Sequence, residues 1–198
     1  MKICFVRHGE TDWNTQKRVQ GREDIPLNED GRRQAAQLGR ILAAHKWDVI
    51  VSSPLGRAYD TAVAIGENCG ISADSILFDN DLIERDFGEL SGAVYGDDFL
   101  ERMQTDVAGI ETASAVRERV YGALLRIVDV YAGKDVIAVS HGGAINALLY
   151  RLSGGEIGSG KIWLGNASMS LIIFDEGEFR ILFYGKTCEE VAFENMLQ

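Results

Sequence analysis

Twice in this chain a short apolar run ends in a histidine followed by glycine. Ile3-Cys4-Phe5-Val6 leads into Arg7-His8-Gly9, and Val136-Ile137-Ala138-Val139 leads into Ser140-His141-Gly142-Gly143. Apolar runs of this length, bounded by glycine-containing turns, read as buried strands. Behind the second, Ile145, Leu148 and Leu149 recur at helical spacing up to Gly154, so that step is strand, polar turn, helix. Such steps present polar residues at the carboxyl ends of a parallel sheet. One His-Gly step is a weak signal, whereas two on separate buried strands point to one shared site.

The intervening chain supplies the rest of an α/β pattern. Gln20 to Leu27 is irregular, and Asn28 then caps a helix whose stripe is Ala35, Leu38, Ile41 and Leu42, ending near Lys46. His45 reads as a cation at that helix end. Val49-Ile50-Val51 is a second strand, followed by Ser53 as cap and Pro54 as first residue of a helix running to Cys69, with Gly70 as its stop. Arg57 falls in the first turn of that helix, where the dipole opposes a cation and a bound anion would remove the objection. Ile76-Leu77-Phe78 reads as a third strand, Leu82 to Leu90 as an acidic irregular loop, and residues 95–107 as a short helix. Thr112 to Ala132 forms a longer helix closed by Gly133. Ser168–Phe174 and Phe179–Tyr184 form a β-hairpin, and the tail after Gly185 is too polar to assign.

These elements predict an α/β fold, a three-layer sandwich whose central, mostly parallel sheet carries helices on both faces. At 198 residues, the expectation is a single domain, 1–198. The net charge of −10 argues against nucleic acid, which needs a basic footprint. No apolar run approaches the roughly 20 residues that span a bilayer, and the N-terminus enters a strand without the pattern of a signal peptide. Cys4, Cys69 and Cys188 cannot all pair and have no metal-ligand spacing, which suits a cytoplasmic setting and predicts no metal. Within this acidic chain, Arg7, Lys17, Arg18 and Arg22 fall close to the first His-Gly step.

That local chemistry suits a phosphate. Arginine offers a planar fork of donors, glycine admits close backbone approach, and a neutral imidazole can act as a nucleophile. Arg7-His8-Gly9-Glu10-Thr11 with Asn14, then Gln20-Gly21 with Pro26-Leu27 and Gly31, form the first two blocks. Ser52-Ser53-Pro54 with Arg57, Leu82-Ile83-Glu84 with Phe87-Gly88, and Val139 to Gly143 complete the set. Together these blocks resemble the histidine phosphatase superfamily, which includes the cofactor-dependent phosphoglycerate mutases, and the resemblance covers nearly the whole chain.

The resemblance implies transfer through a phosphohistidine, with neither metal nor other cofactor. His8 is then the nucleophile, Arg7 and Arg57 bind the equatorial oxygens, and a charged His141 donates to them. Glu84 gives a proton to the leaving alkoxide and takes one from water, and a phosphate dianion beside it favours its protonated form. Asn14, Gln20, Gly21 and Gly142 fall to substrate binding. Two departures stand out: Ser91-Gly92 replaces the Glu-Gly of many relatives, and only 56 residues separate Glu84 from His141. The mutases carry a longer insertion there with basic residues, whereas Arg117 and Arg119 read as solvated helix face. The expected function is therefore a phosphatase for small phosphorylated metabolites, with a phosphoglycerate mutase and a non-catalytic phospho-ligand binding protein as alternatives. Residues 85–110 and 154–166 are expected to set specificity, and the oligomeric state is left open.

Overall fold

The structure, a computed structural model, describes residues 1–96 and 108–194. Its centre is a six-stranded sheet in the order β3-β2-β4-β1-β5-β6. The strands are β1 (Lys2–Arg7), β2 (Val49–Ser52), β3 (Leu77–Phe78), β4 (Val136–Ser140), β5 (Met169–Asp175) and β6 (Glu178–Lys186). β1, β4, β2 and β3 are mutually parallel, while β5 pairs antiparallel with β1 and forms a hairpin with β6. The sheet is thus mostly parallel, as expected. The hairpin turns at Glu176-Gly177, both with positive φ, which matches the twist of the strands it joins.

Strand residues alternate between two apolar layers. Ile3, Phe5, Val136 and Ala138 face α4 (Ala113–Val130) and α5 (Gly142–Leu152). Cys4, Val6, Ile137 and Val139 face the opposite layer, built from α2 (Glu29–Leu42), α3 (Gly56–Cys69) and α6 (Cys188–Glu194). Helices therefore cover both faces, and the three layers follow from β1 and β4, buried on both sides, sending alternate side chains into each layer. A four-residue helix, α1 (Asp12–Thr15), follows β1.

Several local expectations are corrected. The helix after β2 starts at Gly56 with Leu55 at the N-cap, and Ser53 Oγ accepts from Leu55 N at 3.4 Å, one residue short of the helix. The Ser53 hydroxyl is committed to His141, and Asp24 caps the helix from another loop by accepting from Gly56 N at 2.8 Å. α2 stops at Leu42, so His45 lies beyond it, with Nε2 2.7 Å from Asp135 Oδ2. The polar tail forms α6, which buries Cys188 and Val191; its apolar residues bunch at 191–193 and show no helical period. The helix expected over 95–107 falls largely on residues outside those described.

Candidate active site

Parallel pairing sets Arg7 opposite Ser140, so the two histidines that follow emerge side by side at the carboxyl edge of the sheet. Their rings are 5.1 Å apart. Both side chains are buried, a costly place for titratable groups unless each polar atom has a use. His8 Nδ1 lies 2.7 Å from Gly9 O, so Nδ1 carries the proton and donates, leaving the Nε2 lone pair outward. That lone pair accepts from Arg57 Nε at 3.2 Å. Burial, then the charges of Arg57 and Arg7, hold the His8 imidazole well below its usual value of 6.5.

Arg57 is fully buried and positioned by the irregular loop after α1. Its Nη1 donates to Glu23 O at 2.6 Å and its Nη2 to Gly21 O at 2.8 Å. Burial pushes its guanidinium down to about 10. Gly21 adopts φ +53, and its missing Cβ leaves room for Phe87 and Ser91 to close over it. This is where the Ser91-Gly92 departure sits: Ser91 lids the Gly21 turn, and Gly92 N donates to Val19 O. Gln20 is buried beside this turn, its Oε1 without a partner among the described residues.

Arg7 donates through Nη1 to Leu164 O, and its buried Nε has no partner among the described residues. Its guanidinium lies 5.6 Å from the Trp163 ring centre and against Gly142, where a Cβ would stand 3.3 Å from Nε. Asn14 caps α1 from inside the turn. Its Oδ1 accepts from Thr11 N, Thr11 Oγ1 and Asn166 Nδ2 at 3.0–3.1 Å, which leaves its Nδ2 hydrogens for another acceptor. His141 Nε2 is 2.7 Å from Ser53 Oγ, and its buried Nδ1 has no described partner. Burial first, then Arg57, His8 and Arg7, hold the His141 imidazole well below its usual value, so the protein favours its neutral form. With Ser53 donating to Nε2, Nδ1 carries the proton and a neutral ring already presents a donor.

Glu84 reaches the same edge from the irregular loop after β3. Its carboxylate accepts from Gly143 N and Ala144 N, both at 3.0 Å, at the positive end of α5, and from Arg85 N at 2.7 Å. Two contributors escaped the sequence reading. Gly143 is needed because a Cβ there would stand 2.5 Å from Glu84 Oε1. Arg119 is not a solvated-face residue: it donates to Asp81 O, Ile83 O and Glu84 O, and pairs with both oxygens of Glu111. Burial raises the Glu111 carboxyl, but Arg119, Asp86 N and Arg22 outweigh it and hold Glu111 below its usual value. Every residue read from the sequence as catalytic, namely Arg7, His8, Arg57, Glu84 and His141, comes to this one edge.

A buried imidazole with a fixed tautomer, two arginines with donors turned inward and a carboxylate nearby define a phosphoryl-transfer centre. The chain belongs to the histidine phosphatase superfamily (branch 1), which residues 3–187 match. It is 40% identical to the uncharacterized phosphatase PhoE of Bacillus subtilis over 182 residues, 92% of this chain and 93% of that protein. It is 30% identical to the probable phosphoglycerate mutase GpmB of Salmonella choleraesuis, covering 90% of this chain and 87% of that one. Among solved structures, a mycobacterial glucosyl-3-phosphoglycerate phosphatase superposes with a TM-score of 0.83 at 28% identity, over 94% of this chain and 99% of that one. The fold is that of these α/β neighbours.

Proposed function

We propose that the protein is a phosphatase that hydrolyses small-molecule phosphate monoesters through a phosphohistidine at His8. The observation that carries this reading is the tautomer of His8. Gly9 O holds the proton on Nδ1, and the buried Nε2 lone pair faces the guanidinium that would receive a phosphoryl group. Nε2 attacks phosphorus and the bond to the alcohol oxygen breaks, with Glu84 passing its proton to that oxygen. Arg57 Nε shifts its N–H from Nε2 to an equatorial oxygen; Arg7 Nε, Asn14 Nδ2 and His141 Nδ1 donate to the others. In the second step water gives a proton to Glu84 and attacks phosphorus, and Nε2 leaves with its lone pair.

Gln20, Gly21 and Gly142 serve this centre indirectly, Gly21 through its carbonyl on Arg57 and Gly142 by admitting Arg7. No group of three or more His, Cys, Asp or Glu side chains among the described residues is arranged to hold a metal. The likeness to PhoE and to a sugar-phosphoglycerate phosphatase supports hydrolysis of phosphorylated metabolites. The likeness to GpmB keeps a mutase as the second reading. No helix of the described residues is long and apolar enough to cross a membrane, and three free cysteines suit a reducing compartment such as the cytoplasm.

The test is turnover with trapping of the phosphoenzyme. The wild type should release phosphate from p-nitrophenyl phosphate and, when quenched in base, carry an acid-labile label. His8→Ala should lose both while unfolding at a similar temperature. Hydrolysis by His8→Ala at a comparable rate refutes the phosphohistidine, and conversion of 3-phosphoglycerate to 2-phosphoglycerate without free phosphate favours the mutase. Absence of turnover on every ester would leave a binding protein.

A further inference from the structure

A cavity of about 310 Å³ opens beside the centre, lined by Asn14, Lys17, Arg18, Tyr95, Trp163 and Asn166. Two of its walls belong to the phosphate cradle. Asn14 has its oxygen filled and its nitrogen to spare, and Trp163 lies against the Arg7 guanidinium. A phosphate held by Arg7 and Asn14 therefore has this cavity next to it. Tyr95 and Trp163 stand edge to face, 6.3 Å apart, making the walls mostly apolar.

Two cations and two asparagines share this space with the aromatic walls, in a protein of net charge −10. Neither Lys17 nor Arg18 pairs with a described carboxylate, in contrast to Arg22, Arg119 and Arg126. The backbone that places them is specific. Lys17 N donates to Asn14 O and Arg18 N to Trp13 O, closing α1 with a Schellman motif. Lys17 occupies its left-handed position at φ +53, where glycine is the unstrained choice. Val19 N then donates to Ala93 O and Tyr95 N to Lys17 O, so the segment that carries the cations also holds Tyr95 in place. Arg18 rests on the Trp13 ring at 5.9 Å and donates one Nη1 hydrogen to Gly92 O, keeping further donors for a ligand.

From this juxtaposition we propose that Lys17 and Arg18 hold a second anionic group of the substrate, a carboxylate or further phosphate on the alcohol part. This rests on the phosphatase reading above and adds the substrate class. Both cations are exposed, so their attraction for that group weakens as salt is added.

The experiment compares esters that differ only in that group: 3-phosphoglycerate against glycerol 3-phosphate, and fructose 1,6-bisphosphate against fructose 6-phosphate. In the wild type, kcat/KM should favour the more anionic member of at least one pair by about tenfold or more, the scale of a charge-assisted hydrogen bond. The pair that discriminates tells carboxylate from phosphate. In Lys17→Gln/Arg18→Gln that ratio should fall to near one. Lys17→Gly, which removes the charge but relieves the backbone, should lose discrimination in the same direction while melting at or above the wild-type temperature. Equal rates within both pairs for the wild type, or a ratio that survives in the double variant, overturns the proposal. If the wild type hydrolyses no ester, including p-nitrophenyl phosphate, the phosphatase reading fails instead. Calorimetric binding of 3-phosphoglycerate and glycerol 3-phosphate to wild type and double variant then decides the second-anion site by the same ratio.

Discussion

At the scale of single residues, the proposed proton carrier, Glu84, is placed by an absence: position 143 has no β-carbon. One placed there would meet Glu84 Oε1 at 2.5 Å, with the carboxylate already bound to the amides of residues 143 and 144. Gly143→Ala should therefore push Glu84 off α5. Removing a general acid costs roughly 10²–10⁴ in rate when the leaving group is a basic alkoxide. Turnover of glycerol 3-phosphate should accordingly fall about a hundredfold, and of p-nitrophenyl phosphate far less, as paired kcat/KM values will show. Glu84→Gln makes the same point from the other partner. Its first step with p-nitrophenyl phosphate needs little acid, but its second lacks a base. Rapid mixing should give a burst of nitrophenol near one equivalent per site, then slow turnover, and a burst-free trace would move the proton transfer to another group.

At the scale of elements, the loop that carries Glu84 is held less by its own turns than by α4. Arg119 gathers the carbonyls of residues 81, 83 and 84 and clamps Glu111. Both partners are largely buried, about 13% and 12% exposed. Arg119→Met should thus strip Glu111 Oε1 and the carbonyls of residues 81 and 83 of this donor, costing roughly 3 kcal/mol, readable as a lower urea midpoint. Arg119→Lys should restore part of that stability but, lacking the planar fork, not the full rate on alkyl phosphates. Here the limits of reading the chain alone are visible. Strands β1 and β4, and the histidines behind them, were legible because apolar runs ending in His-Gly carry both fold and chemistry in a few adjacent residues. Arg57 was legible because a cation in the first turn of a helix is out of place. Arg119 was not, because an arginine on a helix looks the same whether it meets water or a loop 35 residues earlier. Ser53 was misread as a cap because the competitor for its hydroxyl, His141, lies 88 residues away. α6 was missed because its apolar residues, Cys188 and then Val191-Ala192-Phe193, bunch together without a helical period.

At the scale of the whole molecule, the site makes stability depend on acidity. Burial and neighbouring cations hold both His8 and His141 well below their usual 6.5, so below that pH the unfolded chain binds protons that the folded chain refuses. Stability is complete above about pH 6.5 and declines as pH falls towards the native values, by up to about 1.4 kcal/mol per histidine at pH 5.5. Urea midpoints at pH 7.5 and 5.5 should show the fall, and His8→Asn/His141→Asn should flatten it. The sheet order has a different consequence, for the moment of synthesis. β1 is made long before its neighbours β4 and β5, which begin at residues 136 and 169. At roughly 5–20 residues per second, the first strand waits many seconds, its apolar side chains unpaired, before either partner leaves the ribosome. A stalled nascent chain with residues 1–135 emerged should be cleaved readily by protease. One with residues 1–194 emerged should resist, and only the longer chain should release nitrophenol. His8 is thus translated long before the strand that carries His141 and is among the last residues to find its setting.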